Sequence, residues 1–182
     1  MEKCAIEGLQ CLTHFHNAMS GHHHRHPGVV TAGFCLDSLR VELIADAIHL
    51  HPAVLKMVYQ MKGKDSVILI TDALCAKGLP DGNYELGGQS FIKRGQTCHL
   101  DSGVLAGSVL SMDTAVRNMV KLSGCPLAEA VQMASLNPAR LLGVDDRKGS
   151  IALGKDADLV VLDQQGNLHM TIVKGKVCYL VQ

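Results

Sequence analysis

Apolar and polar positions follow two different periods along this chain, and the changes of period mark its elements. Residues 2–10 have helical spacing and run into a short strand-like stretch at 11–14, Cys-Leu-Thr-His. A Gly- and His-rich loop follows and ends at Pro27-Gly28. Residues 39–45 (LRVELIA) are apolar and β-branched, and they stop at Asp46-Ala47-Ile48-His49. Residues 52–62 predict a helix, with Val54, Leu55, Val58 and Met61 on one face and Pro52 suited to its first turn. Residues 66–72 (SVILITD) are almost wholly apolar until the final carboxylate, the pattern of a strand buried on both faces. Strands and helices alternate, and each strand ends on a titratable side chain.

The pattern then changes. Gly87-Gly88 and Arg94-Gly95 punctuate short strand-like runs across 83–100, which predicts a hairpin excursion. Helical spacing resumes over 111–122, with Ser111 as N-cap and Gly124 then Pro126 as the stop. Further helices are expected at 127–136 and 138–142. From Gly149 onward the tail is β in character, with strand-like runs at 158–162, 169–173 and 177–181.

Composition narrows the class. The 182 residues carry 17 basic and 17 acidic side chains, so no basic excess exists to bind nucleic acid or an anionic membrane. Hydrophobic residues make up 47% of the chain, enough for a buried core, yet no apolar run reaches the ~20 residues of a membrane span. The opening residues lack the apolar stretch of a secretory signal, so the expected compartment is the cytosol. Seven cysteines, irregularly spaced and without a CxxC pair, suggest buried thiols rather than a disulfide framework. Aromatics are only 3%, and an aliphatic core of this kind suits an α/β protein with a buried parallel sheet.

Asp72 follows directly on its apolar strand, at the rim where open α/β sheets and barrels place their active sites. His14 has the same position after the first strand, and Asp46 with His49 after the second. Imidazoles and carboxylates converging on one face form the donor set of a catalytic metal. His16 would share a face with His14 if the strand continued. His22-His23-His24 falls in a loop, and His99 and His169 are isolated, so these read as structural.

Several segments together resemble the N-acetylglucosamine-6-phosphate deacetylases of the amidohydrolase superfamily. They are Thr-His-Phe-His-Asn-Ala-Met-Ser (13–20), His-Arg-His-Pro-Gly (24–28), Ala-Asp-Ala-Ile-His (45–49) and Thr-Asp-Ala (71–73). Further matches are Leu-Ala-Gly-Ser (105–108), Ser-Leu-Asn-Pro-Ala-Arg (135–140) and Gly-Lys-Asp-Ala-Asp-Leu (154–159). Thr-His-x-x-Asn-Ala-Met with the downstream Arg-x-Pro-Gly is specific to these deacetylases, whereas the last segment is shared across the superfamily.

The resemblance implies a (β/α)8 barrel with a small β-sandwich. Residues 1–148 would supply barrel strands six to eight, with the hairpin inserted, and 149–182 the C-terminal strands of the sandwich. A complete barrel takes ~250 residues, so 182 would be only its C-terminal portion. It also implies zinc or iron bound by His14, with the other ligands in an N-terminal half that is supplied separately, lost or omitted. Asp72 would handle protons in amide hydrolysis. Asn17, Ala18, Arg25, the Asp46–Ala47–Ile48 backbone, His49 and the Leu105–Ala106–Gly107 wall would contact the amino-sugar phosphate. Arg25 would serve a neighbouring subunit, making a homodimer. His16, His26 and Ala47 depart from the usual residues of that family. Two alternatives remain open: from a different class, an inactive remnant or binding module of the same fold, and, within the enzyme class, another amidohydrolase such as a cyclic-amide hydrolase.

Overall fold

The computed structural model describes residues 1–181. Three parallel strands, β1 (Cys11–Leu12), β2 (Arg40–Ile44) and β3 (Val67–Ile70), form a sheet in sequence order. Their register runs from Cys11 opposite Arg40 to Ile44 opposite Ile70. Leu12, Val41, Leu43, Val67 and Leu69 share one face and are all buried. On the other, Ile44 and Ile68 are buried and Cys11, Arg40, Glu42 and Ile70 half-buried, so only β3 approaches the two-sided burial its apolar run predicts. Helix α1 (Glu2–Ile6) leads into β1, and α2 (Val29–Cys35) and α3 (Pro52–Ser66) make the crossovers. This is a βαβαβ unit.

Three sequence expectations shift here. β1 ends at Leu12, so His14 and His16 lie in the turn beyond it rather than on one strand face. Helix α2 occupies a stretch whose β-branched and glycine residues gave no helical signal. It is admitted by Gly33, where a Cβ would stand 2.4 Å from the Phe15 ring. On α3 the buried face is Leu55, Val58 and Lys62, while Met61 points outward. The ammonium of Lys62 donates to the Leu36 carbonyl at 3.0 Å, and burial pulls its pKa down.

The excursion after β3 is larger than a hairpin. Strands β4 (Gly82–Leu86), β5 (Gln89–Arg94), β6 (Thr97–Leu100) and β7 (Leu105–Gly107) form a four-stranded antiparallel sheet around Phe91 and Cys98. Helices α4 (Met112–Ser123), α5 (Leu127–Ala134) and α6 (Leu136–Leu141) return along the parallel sheet. Ala115, Met119, Ala130 and Met133 fill the space between them. Gly124 ends α4 in the left-handed conformation expected of it, φ 80°. Ser111 occupies the N-cap position but turns its hydroxyl to Thr114 at 2.8 Å. Asn137, fully buried, donates to the Lys64 and Val67 carbonyls at 2.6 and 2.7 Å and so pins the start of β3.

The tail forms a three-stranded antiparallel sheet of β8 (Leu159–Leu162), β9 (Leu168–Val173) and β10 (Lys176–Leu180). The Gly-Lys-Asp-Ala-Asp segment is a fastener ahead of it. Lys155 donates to the Asp145 carbonyl and to the Ser150 hydroxyl, and Asp158 pairs with Lys148 and accepts the Lys174 N–H at 2.8 Å. The thiols also depart from expectation: Cys98 and Cys125 are buried, but Cys4, Cys35, Cys75 and Cys178 are exposed. All seven are free.

Candidate active site

The C-terminal ends of the three parallel strands point their following turns toward one cleft of about 460 Å³. Its lining is His14, Asn17, Ala18, His49, Asp72, Val104, Leu105, Ala106 and Gly107. Three separated strand ends and the β7 wall, far apart in sequence, therefore meet in space. A larger hollow of about 650 Å³ beside Met1, Pro27 and Cys35 has no imidazole in its lining, and Glu2 is its one carboxylate.

The backbone around the cleft is strained. Among the described residues six non-glycines have positive φ, and five lie at these strand ends: His14 (33°), His16 (78°), Ala18 (53°), Ala47 (62°) and Asp72 (48°). The left-handed region costs an L-residue roughly 1–2 kcal/mol. Strain of this kind persists where surrounding bonds over-determine it, and it gathers at functional sites.

Those bonds are identifiable. His14 Nδ1 lies 3.1 Å from the Asn17 carbonyl, while the Asn17 backbone and side-chain amides donate back to the His14 carbonyl at 2.9 and 3.2 Å. This leaves His14 Nε2 for a ligand. Asp72 makes no side-chain hydrogen bond among the described residues, but its carbonyl accepts from Ser108 N–H at 2.9 Å. Ser108 returns its own carbonyl to Leu74 N–H at 2.8 Å and its hydroxyl to the Thr71 carbonyl. A parallel bridge between Ala73 and Ser108 thus joins the end of β3 to the end of β7.

Asp46 and Ile48 line a separate hollow of about 260 Å³ with Gln96, Leu110, Thr114 and Asn118. Asn118 donates to the Ala45 carbonyl at 2.8 Å and fixes the end of β2. The Asp46 carboxylate takes the backbone N–H groups of Ile48 and His49 at 2.9 and 2.8 Å and lies 2.6 Å from His49 Nδ1. Burial would raise its pKa, but the bonds from the His49 ring and the two backbone groups hold it below the usual carboxylate value.

Arg25 is outside the cleft, exposed on loop 21–27. The neck of that loop is tight: Ser20 accepts Val29 N–H on its hydroxyl at 2.9 Å, and a Cβ at Gly28 would meet the Ser20 carbonyl at 2.3 Å. His23 organises the tip, its Nδ1 3.2 Å from the N–H groups of Arg25 and His26, with its ring stacked on those of His24 and His26. His16 packs edge-on against Phe15 and Phe34, and its buried Nε2 has no partner among the described residues. Sequence reasoning singled out most of the lining but missed Ser108, Asn118 and Val104. Only Ser108 carried a signal, as the last residue of the Leu-Ala-Gly-Ser segment.

No three His, Cys, Asp or Glu side chains among the described residues are placed to hold a metal ion together. His14 and Asp72 fall short of the three protein donors that a catalytic divalent ion takes. On their own, these residues do not fit a complete metal site.

The chain is similar to known proteins. N-acetylglucosamine-6-phosphate deacetylase of Bacillus subtilis (strain 168) is 43% identical over 180 residues, covering 99% of this chain and 46% of that protein. An Escherichia coli (strain K12) protein provisionally named N-acetylgalactosamine-6-phosphate deacetylase is 47% identical over 163 residues, 90% of this chain and 97% of its own length. The crystal structure of N-acetylglucosamine-6-phosphate deacetylase from Thermotoga maritima superposes with a TM-score of 0.94 at 39% identity. That match covers 99% of this chain and 49% of the other. The chain thus spans about half the length of most curated relatives it matches. The family model for amidohydrolases matches residues 1–178, from α1 through the cleft to the final strand, and the chain belongs to that amidohydrolase family.

Proposed function

We propose that this chain carries the C-terminal share of a metal-dependent site that hydrolyses the acetamide of N-acetylglucosamine 6-phosphate to glucosamine 6-phosphate and acetate. The observation that carries this reading is the single cleft gathering His14, Asn17, Ala18, His49, Asp72 and the Leu105–Gly107 wall. In this reading β1, β2 and β3 are strands six to eight of a (β/α)8 barrel within residues 1–148. Residues 149–182 contribute to a β-sandwich, its last residue lying outside those described.

Each residue then has a chemical task. Asp72, exposed on the rim with its carboxylate unbonded, accepts the proton of the attacking water and delivers one to the departing amine. A carboxylate suits both steps because it must be ionised first and protonated second. His14 offers Nε2 as one ligand to zinc or iron, and residues outside this sequence, on the same polypeptide or a partner, complete the set. Asn17 and Ala18 hold the sugar phosphate through the side-chain amide and backbone N–H, and His49 with the Asp46–Ile48 backbone meets the sugar. Arg25, exposed on its loop, reads the phosphate across a homodimer with its planar fork of donors. Free thiols throughout fit a cytosolic protein.

Acetate release from N-acetylglucosamine 6-phosphate with zinc, measured on the chain alone and mixed with the N-terminal half of the Bacillus subtilis relative, tests the reading. Turnover that Asp72→Asn lowers by about a hundredfold or more is expected. Turnover within about tenfold of the wild type in that variant would overturn the role of Asp72. No turnover in either preparation would favour a binding module.

A further inference from the structure

The Asp46 side chain takes three of the roughly four hydrogen bonds that an ionised carboxylate can accept, all from its own turn. One oxygen accepts two backbone N–H groups, at 2.9 and 2.8 Å, and the other faces His49 Nδ1 at 2.6 Å. Each of the two side chains is only 7% exposed. An ionised carboxylate accepts and never donates, so the short contact requires the ring proton to sit on Nδ1. The partners also face different spaces: His49 lines the main cleft, Asp46 the smaller hollow beside Asn118. His49 Nε2 has no hydrogen bond among the described residues.

We propose that Asp46 is a positioning residue for His49, fixing the imidazole with its proton on Nδ1 and presenting the Nε2 lone pair to the cleft as an acceptor for a sugar hydroxyl. The proposal rests on the sugar-phosphate reading for its ligand, but not for its tautomer. A neutral imidazole without this partner would favour the other tautomer in water and offer the cleft an N–H instead. The carboxylate therefore sets the sign of the hydrogen bond that His49 can make. The two backbone bonds hold the carboxylate while it does so. They also fold residues 46–49 into the turn that forces Ala47 to its φ of 62°.

The experiment uses the whole chain with ¹⁵N-labelled histidine rings, read by long-range proton–nitrogen correlation, with His49 assigned by its loss in His49→Gln. The expected wild-type ring carries its proton on Nδ1. In Asp46→Asn the amide can donate to the ring, so the proton is expected to move to Nε2. N-acetylglucosamine 6-phosphate should perturb wild-type Nε2 and bind about tenfold more weakly to the variant, the weight of one hydrogen bond. A proton on Nε2 in the wild type overturns the proposal outright, even if Asp46→Asn fails to fold. An Nδ1 proton that stays put in a folded Asp46→Asn overturns it too. An Nδ1 proton that moves as expected, with no sugar phosphate bound by either protein, upholds the positioning role and overturns the sugar-phosphate reading instead.

Discussion

Ser108 holds Asp72 by the backbone: its N–H meets the Asp72 carbonyl at 2.9 Å, across 35 residues of intervening chain that hold a whole four-stranded sheet. The same serine is 1% exposed, and its hydroxyl both donates to the Thr71 carbonyl and accepts Leu110 N–H at 3.1 Å. One side chain thus ties β3, the β7 wall and the approach to α4 together.

Replacing Ser108 by Ala leaves a buried N–H and a carbonyl short of a partner. Each unsatisfied group costs about 1–3 kcal/mol. Two such groups make about 2–6 kcal/mol, so the midpoint of thermal unfolding should fall by about 4–24 °C at roughly 2–4 °C per kcal/mol. Calorimetry would check it, and an unchanged midpoint would show that the hydroxyl is not what joins the two walls.

Ala47 sits in the left-handed region with φ 62° and its side chain exposed. Glycine adopts that conformation freely, while a β-branched residue is the least tolerant of it. Ala47→Gly should leave unfolding free energy unchanged or raise it by up to about 1 kcal/mol, and Ala47→Val should lower it by about 1–2 kcal/mol. Urea titration of the two variants would reveal the order, and the reverse order would show that Ala47 is not strained.

Arg25 makes no side-chain hydrogen bond among the described residues, which leaves its guanidinium available to a ligand. Its replacement by Ala should raise KM for the 6-phosphorylated sugar by about 10- to 150-fold, the weight of a charge-assisted bidentate contact. KM for the unphosphorylated sugar should hardly move. Equal changes in both would show that Arg25 does not read phosphate.

The thiols should divide into two classes toward iodoacetamide. Burial pushes the Cys98 and Cys125 thiols up, and Cys11 to about 11, so little reactive thiolate forms at pH 8. The exposed Cys4, Cys35, Cys75 and Cys178 should label first in the native chain. Peptide mass mapping after short exposure would show it. Early modification of Cys98 or Cys125 would mean that their cores open readily.

How much of this was legible beforehand depended on where the information lay. An apolar run ending in a titratable residue is a local pattern, and it located β1, β2, β3 and the His14, His49 and Asp72 that follow them, whereas Asn17, Ala18 and the 105–107 wall were legible only through the family resemblance. Helix α2 was hidden because its support is tertiary: Gly33 against Phe15 replaces the periodic apolar face a surface helix usually shows. His16 seemed to share a strand face with His14 because nothing local announces that β1 stops at Leu12. The Ser108 clamp was invisible for a similar reason, since its bonds are to residues distant in sequence. Asp46 was recognised, but spacing cannot distinguish a carboxylate that touches a ligand from one that holds a neighbouring ring.

The pinched neck at Ser20 and Gly28 makes residues 21–27 an interchangeable cassette. Its ends are fixed to each other whatever lies between them, and lengthening a loop already closed costs little, roughly 0.6 kcal/mol per doubling. Loops of other lengths and charges could be spliced in without disturbing β1 or α2, provided that residue 28 remains glycine. The loop that carries Arg25 is thereby separable from the part that holds the cleft, and the two can be varied independently.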